Sequence, residues 1–256
     1  MKISELLNII EQIAPADTVW DKDNIGLLVG HHDRQVTSAL AALDVSLDVI
    51  NEANERGAQV ILAHHPLIFG GVGTVTDETA TGRRVMALLR YDIAAICLHT
   101  NYDGAEGGLN DELARLIGLR DVRVLVNQNG EYGRCGELAE SMTASGYARF
   151  VKETLNVSAL RYHDAGRPVN KVSVGSGGSG KLFERAVAAG CDTFVTGDVG
   201  HNIFCDARDV GINVIDATHF ATEDIMCDLL IRQLASRAPE LTVTKARASR
   251  APYEVL

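Results

Sequence analysis

The 256-residue chain suits one large domain or two small ones, and its 46% hydrophobic and 23% charged residues are ordinary for a soluble protein. A formal net charge of -10 and a pI near 5.2 argue against a nucleic-acid backbone or an anionic membrane as the main partner. No apolar run approaches the roughly 18 residues of a membrane span. The five cysteines (Cys97, Cys135, Cys191, Cys205, Cys227) are scattered and never in CxxC spacing, which suits a reduced cytoplasm over a disulfide framework or zinc ribbon.

Residues 3–13 read as an amphipathic helix with Ile3, Leu6, Leu7 and Ile10 on one face, without a signal peptide's apolar core. The polar turn Trp20-Asp21-Lys22-Asp23-Asn24 then opens into the apolar stretch Ile25 to Val29 and reads as a capped turn with an aromatic plug. His31 and His32 fall in an exposed loop. A strand over 38–45, a helix over 46–56 closed by Gly57 and a strand over 58–63 form a βαβ unit, which implies a parallel sheet. That strand ends at His64-His65-Pro66. A glycine-bearing loop, a helix over 79–91 and a strand over 93–98 lead to His99 and Asp103, followed by a helix over 108–117.

From residue 121 the pattern becomes more antiparallel, with one helix near 143–155. A strand at 170–174, the glycine loop 175–180, a helix from 181 to 189 and a strand at 191–196 lead to Gly197-Asp198. A helix at 201–209, a strand at 211–216 and a helix at 219–236 follow, and Leu241-Thr242-Val243 reads as an edge strand. The halves echo each other: strand, helix, glycine and strand deliver His65 in one and Asp198 in the other, each eight residues after the glycine. The expected fold is α/β, with two related lobes of mixed, largely parallel sheets and the site in a cleft between them. Lobe one takes residues 1–120 plus 211–256, and lobe two takes 121–210.

Ligands gather beyond the carboxyl ends of strands in such sheets. Three predicted strand ends present His64-His65, Asp103 and His219-x3-Glu223, the last pair sharing one helical face. Pro66 keeps His65 extended and removes a ladder donor, so both imidazoles can leave the strand at one place. Three imidazoles and two carboxylates exceed a single open tetrahedral zinc site; they suit two divalent cations roughly 3.5 Å apart. The mixed nitrogen and oxygen donors favour Zn, Mn, Fe, Co or Ni over Ca. His99 and His201 are candidate proton carriers, and Asp198 and Asp216 candidate supporting partners. The loop Gly175 to Lys181 nearly matches a phosphate-binding loop, but Leu182 stands where the cation-binding hydroxyl belongs. It remains an anion cradle or a tight turn.

These segments together resemble the GTP cyclohydrolase 1 type 2 homologues, also described as dinuclear-metal-centre hexameric proteins. The carrying stretches are Trp20 to Leu27, Ala63 to Phe69, His99 to Asp103, Gly175 to Gly180, Gly197-Asp198 with His201, and His219 to Glu223. The resemblance implies that His64, His65, Asp103, His219 and Glu223 bind two metals. It also implies two related lobes and a toroidal homohexamer whose metal sites face an interior cavity. One departure is Thr218-His219-Phe220, where similar members often carry Gly-His-His. The expected function is a cytoplasmic two-metal hydrolase acting on a small molecule, with GTP or another nucleotide implied by the resemblance. It would open the guanine imidazole ring with metal-bound hydroxide. A dinuclear phosphoesterase and a non-enzymatic metal- or partner-binding hexamer are the alternatives.

Overall fold

The computed structural model describes residues 1–19, 23–126, 130 and 132–256. The predicted turn at Trp20-Asp21-Lys22, and Glu131 of the alternating stretch, lie outside the described residues. The chain divides into two compact units, Met1–Ala105 with Met226–Arg250, and Glu106–Ile225 with Ala251–Leu256. Residues 106–120, 211–225 and 251–256, grouped with lobe one on sequence, therefore pack in the second unit. The composition shift near residue 121 marks a change of strand polarity within that unit, not its edge.

In the first unit, helix α1 (Ile3–Ile13) buries Ile3, Leu6, Ile10 and Ile13, one apolar stripe at helical spacing. Strands β1 (Gly26–Val29) and β2 (Ser38–Ala42) follow. Ser46 caps α2 (Leu47–Glu55) by accepting the Val49 amide, and Gly57 takes the left-handed φ of +67° that ends it. Strand β3 (Val60–Ala63) is buried on both faces, as its unbroken Val-Ile-Leu-Ala run requires. Each large side chain there contributes about 1.5–3 kcal/mol of burial. Thr79 caps α3 (Ala80–Tyr91), which leads to β4 (Ala94–Cys97). After β4 the chain turns into a five-residue helix, α4 (Thr100–Gly104), where the sequence predicts only a strand end.

The second unit begins with α5 (Leu109–Leu116), β5 (Arg120–Val126) and β6 (Tyr132–Met142). Helix α6 (Ala144–Thr154), capped by Thr143, precedes β7 (Arg161–His163) and β8 (Val169–Val174). The glycine loop and a 3-10 turn at Gly180–Leu182 lead into α7 (Phe183–Ala188). Then come β9 (Thr193–Thr196), α8 (His201–Val210), β10 (Asn213–Asp216) and α9 (His219–Glu223). The predicted helix over 219–236 is thus two helices, broken at Asp224 before α10 (Ile225–Arg237). From Met226 the chain is back in the first unit, where β11 (Thr242–Lys245) pairs with β2.

The first sheet has the order β1-β4-β3-β2-β11 and is parallel except for β1. The second has the order β5-β6-β8-β9-β10-β7, parallel only across β8-β9-β10. Each sheet therefore holds three successive parallel strands with an antiparallel strand beside the third. The sequence echo is this shared topology. His64 and His65 leave the middle strand of one trio, and Asp198 follows the middle strand of the other. His99 and His219 follow the third strands. Among the described residues no helix is long and apolar enough to cross a membrane. All five cysteines are free thiols.

Candidate metal centre

In the first unit, three imidazoles come together beyond the ends of β3 and β4. Ring centroids are 5.3 Å apart for His64 and His65, 5.2 Å for His64 and His99, and 5.9 Å for His65 and His99. One ring nitrogen from each lies within 4.8 Å of the other two. The buried His64 holds its Nδ1 2.8 Å from the Leu98 carbonyl. A carbonyl only accepts, so Nδ1 carries the proton and Nε2 keeps a lone pair. The Asp103 carboxylate, on α4, lies 3.7 Å from that Nε2. His65 Nδ1 donates to Asp44 at 2.8 Å, and His99 Nδ1 donates to Asp23 at 2.7 Å.

Asp23 is buried and fully engaged. It accepts from His99 Nδ1, the Asn24 amide, the Thr100 amide and the Thr100 hydroxyl. Burial opposes its ionisation, but the hydrogen bonds from His99 and Thr100 outweigh this and hold the carboxyl well below the usual range. It also caps the start of α4, which fixes where Asp103 emerges. The neighbouring Asn24 donates its side-chain amide to the Ile68 carbonyl at 2.7 Å, which ties this segment to the loop after His65.

In the second unit, α9 sets His219 Nε2 2.9 Å from Glu223 Oε2, the i, i+4 pairing that the spacing predicted. His219 Nδ1 donates to Asp198 at 2.8 Å. The helix starts from a strained residue: Thr218 has φ +68° and ψ 150°, a region open mainly to glycine. It is held by its amide donating to Asp216 and by the Thr222 hydroxyl donating to its carbonyl. Asp216 also pairs with Arg161 and accepts the Val199 amide, so it braces both the 198–199 turn and the His219 turn. Backbone strain of this kind, costing about 1–3 kcal/mol, collects at functional sites.

The glycine loop backs this pair. Gly177 has φ +56°, and a Cβ there would stand 1.9 Å from Glu223 Oε1 and 3.1 Å from His219 Nε2. Its amide donates to the Thr222 hydroxyl, and its carbonyl accepts the Gly197 amide and the Thr196 hydroxyl. Asn110 anchors the same loop by accepting the Ser176 amide. Gly197 is equally constrained, since a Cβ there would lie 2.6 Å from the His219 amide nitrogen.

Of the residues singled out on sequence, His64, His65, His99 and Asp103 gather in the first unit, and His219, Glu223 and Asp198 in the second. His201 is exposed at the start of α8, with Nε2 3.4 Å from Cys205 Sγ. Sequence reasoning missed Asp44 entirely and saw in Asp23 only a turn cap. The signal for Asp44 was a carboxylate just past the end of β2, beside the strand that delivers the histidines.

A family model described as Duf34/NIF3 (NGG1p interacting factor 3) matches residues 1–252. A Clostridium perfringens protein named GTP cyclohydrolase 1 type 2 homolog is 36% identical, with 87% of each chain covered. A Streptomyces coelicolor protein of the same name is 35% identical, covering 91% of this chain and 85% of the relative. A hypothetical protein of Staphylococcus aureus has a similar structure, with a TM-score of 0.92 at 28% identity over 100% of this chain and 99% of that one. Reduced HcgD from Methanocaldococcus jannaschii gives 0.84 at 29% identity, over 96% and 98%. With matched residues running almost from end to end, the chain belongs to the Duf34/NIF3 family.

Proposed function

We propose that the chain is a hydrolase dependent on two divalent cations, with His64, His65, Asp103, His219 and Glu223 as ligands. One observation carries this reading: His64, His65, His99 and His219 all set Nδ1 against an acceptor, the arrangement that reserves Nε2 for a cation. Three of those acceptors are carboxylates, the arrangement that fixes tautomer and raises basicity in metal-ligating histidines. Structural histidines have no reason to share one tautomer. The donor set fits Zn, Mn, Fe, Co or Ni.

When bound, a cation pair supplies Lewis acidity and a water-derived nucleophile at neutral pH. The chain's own residues do the rest. Asp44, Asp198 and the Leu98 carbonyl orient the ligand rings. Gly177 leaves room for the Glu223 carboxylate. His99 and His201 hold or release a proton at Nε2. The relatives' printed name favours a nucleotide substrate, and the specific version is hydrolytic opening of the guanine imidazole ring of GTP. A homohexamer is the setting that the resemblance favours, and the scattered cysteines favour the cytoplasm.

The test is elemental analysis of purified protein, with turnover measured on the same sample. Two equivalents of metal and loss of the guanine absorbance of GTP are the expected result. Intact GTP with cleavage of phosphoesters replaces the cyclohydrolase version by a dinuclear phosphoesterase. Metal without turnover on a broad panel leaves a non-enzymatic binding protein.

A further inference from the structure

We infer that Arg161 is a positioning residue: its guanidinium clamps the two turns that carry Asp198 and His219, and so sets the contact between those side chains. This deepens the proposed function and rests on it for the role of His219 as a cation ligand, but not for any substrate. No motif in the sequence marks Arg161.

Arg161 lies on β7, an edge strand of its sheet, directly across from Asp216 on β10. Its Nη2 donates to Asp216 Oδ2 at 2.5 Å and to the Val199 carbonyl at 2.9 Å, and its Nε donates to the same Asp216 oxygen at 3.2 Å. That oxygen also accepts the Val199 amide at 3.3 Å, while Asp216 Oδ1 accepts the Thr218 amide at 3.1 Å. The amide and the carbonyl of Val199 thus both end on the Arg161–Asp216 pair. The guanidinium also stands 5.3 Å from the centre of the Phe204 ring, which ties α8 to the same pair.

The residues held in this way are strained. Among the described residues five non-glycines have left-handed φ, and two of them meet here: Asp198 at +50°, just before Val199, and Thr218 at +68°, just before His219. Such backbone persists only where its surroundings hold it. Its result is that Asp198 Oδ2 sits 2.8 Å from His219 Nδ1. The Arg161 side chain is 63% exposed against 7% for Asp216, and an ion pair so open to water adds little to stability. What the planar fork adds is geometry, because it reaches a carboxylate and a carbonyl at once, which a lysine ammonium does not reproduce.

The test is a crystal structure of the metal-free Arg161→Ala chain, with Zn2+ calorimetry on the same variant. The Asp198–His219 contact should open beyond about 3.5 Å, and Zn2+ affinity should fall about 10-fold. Arg161→Lys keeps a charge opposite Asp216 without the fork, so it should show the same two changes, and it decides the matter if the alanine variant does not fold. Asp198→Asn should cost less Zn2+ affinity in the Arg161→Ala chain than in the unsubstituted one, because Arg161 acts through Asp198. A variant structure that retains the 2.8 Å contact, or losses of affinity that are independent of each other, overturns the inference. The structural measurement needs no cation. The two-cation reading fails separately, on the unsubstituted protein, if it holds fewer than two cations or turns over nothing.

Discussion

Gly177→Ala separates the cost of a backbone conformation from the cost of a misplaced ligand. Gly177 and Gly190 both have left-handed φ, +56° and +72°, so alanine at either costs about 1–2 kcal/mol of strain. Around Gly190 a Cβ meets nothing within 4 Å, whereas at Gly177 it would lie 1.9 Å from Glu223 Oε1. Ordinary contact begins at 3.4 Å, so the carboxylate must retreat by about 1.5 Å, because the Gly177 backbone is pinned through both its amide and its carbonyl. The colliding atom is the end of a side chain, which turns aside at little expense to the fold. The two variants should therefore lose similar stability in urea, within about 0.5 kcal/mol of each other. Their cation binding should diverge: unchanged in Gly190→Ala, and weakened about 100-fold in Gly177→Ala, the scale of loss that a ~1 Å misplacement carries. Equal Co2+ affinities in the two variants would refute Glu223 as a ligand.

Other outcomes follow from the same contacts. Asp44→Asn and Asp198→Asn should each reduce Zn2+ affinity about 10–100-fold in calorimetric titration, with the fold unchanged, because each releases one ligand ring from its tautomer clamp. Thr218→Gly should raise the urea midpoint by an amount worth about 1 kcal/mol, the relief of a φ of +68° less the entropy of a glycine and one weak cap. Glu52 titration should show in acid stability. Burial opposes its ionisation, but the Arg247 and Ala248 amides and the Arg56 guanidinium hold it below the ordinary 4.5. A depressed carboxylate stabilises above its unfolded pKa and loses that contribution as pH falls through the folded one. Glu52→Gln should thus lower the urea midpoint at pH 7 and flatten its decline below pH 4.5. Burial, with the neighbouring Cys135, pushes the Cys191 thiol up to about 11, so mass spectrometry after iodoacetamide at pH 8 should find Cys191 unlabelled and the less buried Cys205 labelled first.

The alternation of apolar runs with capped helices was legible because burial and capping are local. Val60-Ile61-Leu62-Ala63 admits few alternatives to a doubly covered strand, and Ser46, Thr79 and Thr143 announce the helices they cap. The donors were legible for a related reason: histidine or carboxylate just past a buried strand has one plausible location, the carboxyl edge of a sheet. Tertiary structure alone decided what surrounds them. Asp44 and His65, 21 residues apart, and Asp23 and His99, 76 apart, meet because β2, β3 and β4 are neighbours in one sheet, with β1, just after Asp23, paired to β4. The same cause turned a glycine loop that resembles a phosphate grip into the wall behind Glu223, and put residues 106–120 and 211–225 in the second unit. Composition and spacing record which groups a chain carries and the faces on which local structure sets them. Which acceptor meets which imidazole depends on strand order, and strand order is chosen by the packing of the whole sheet.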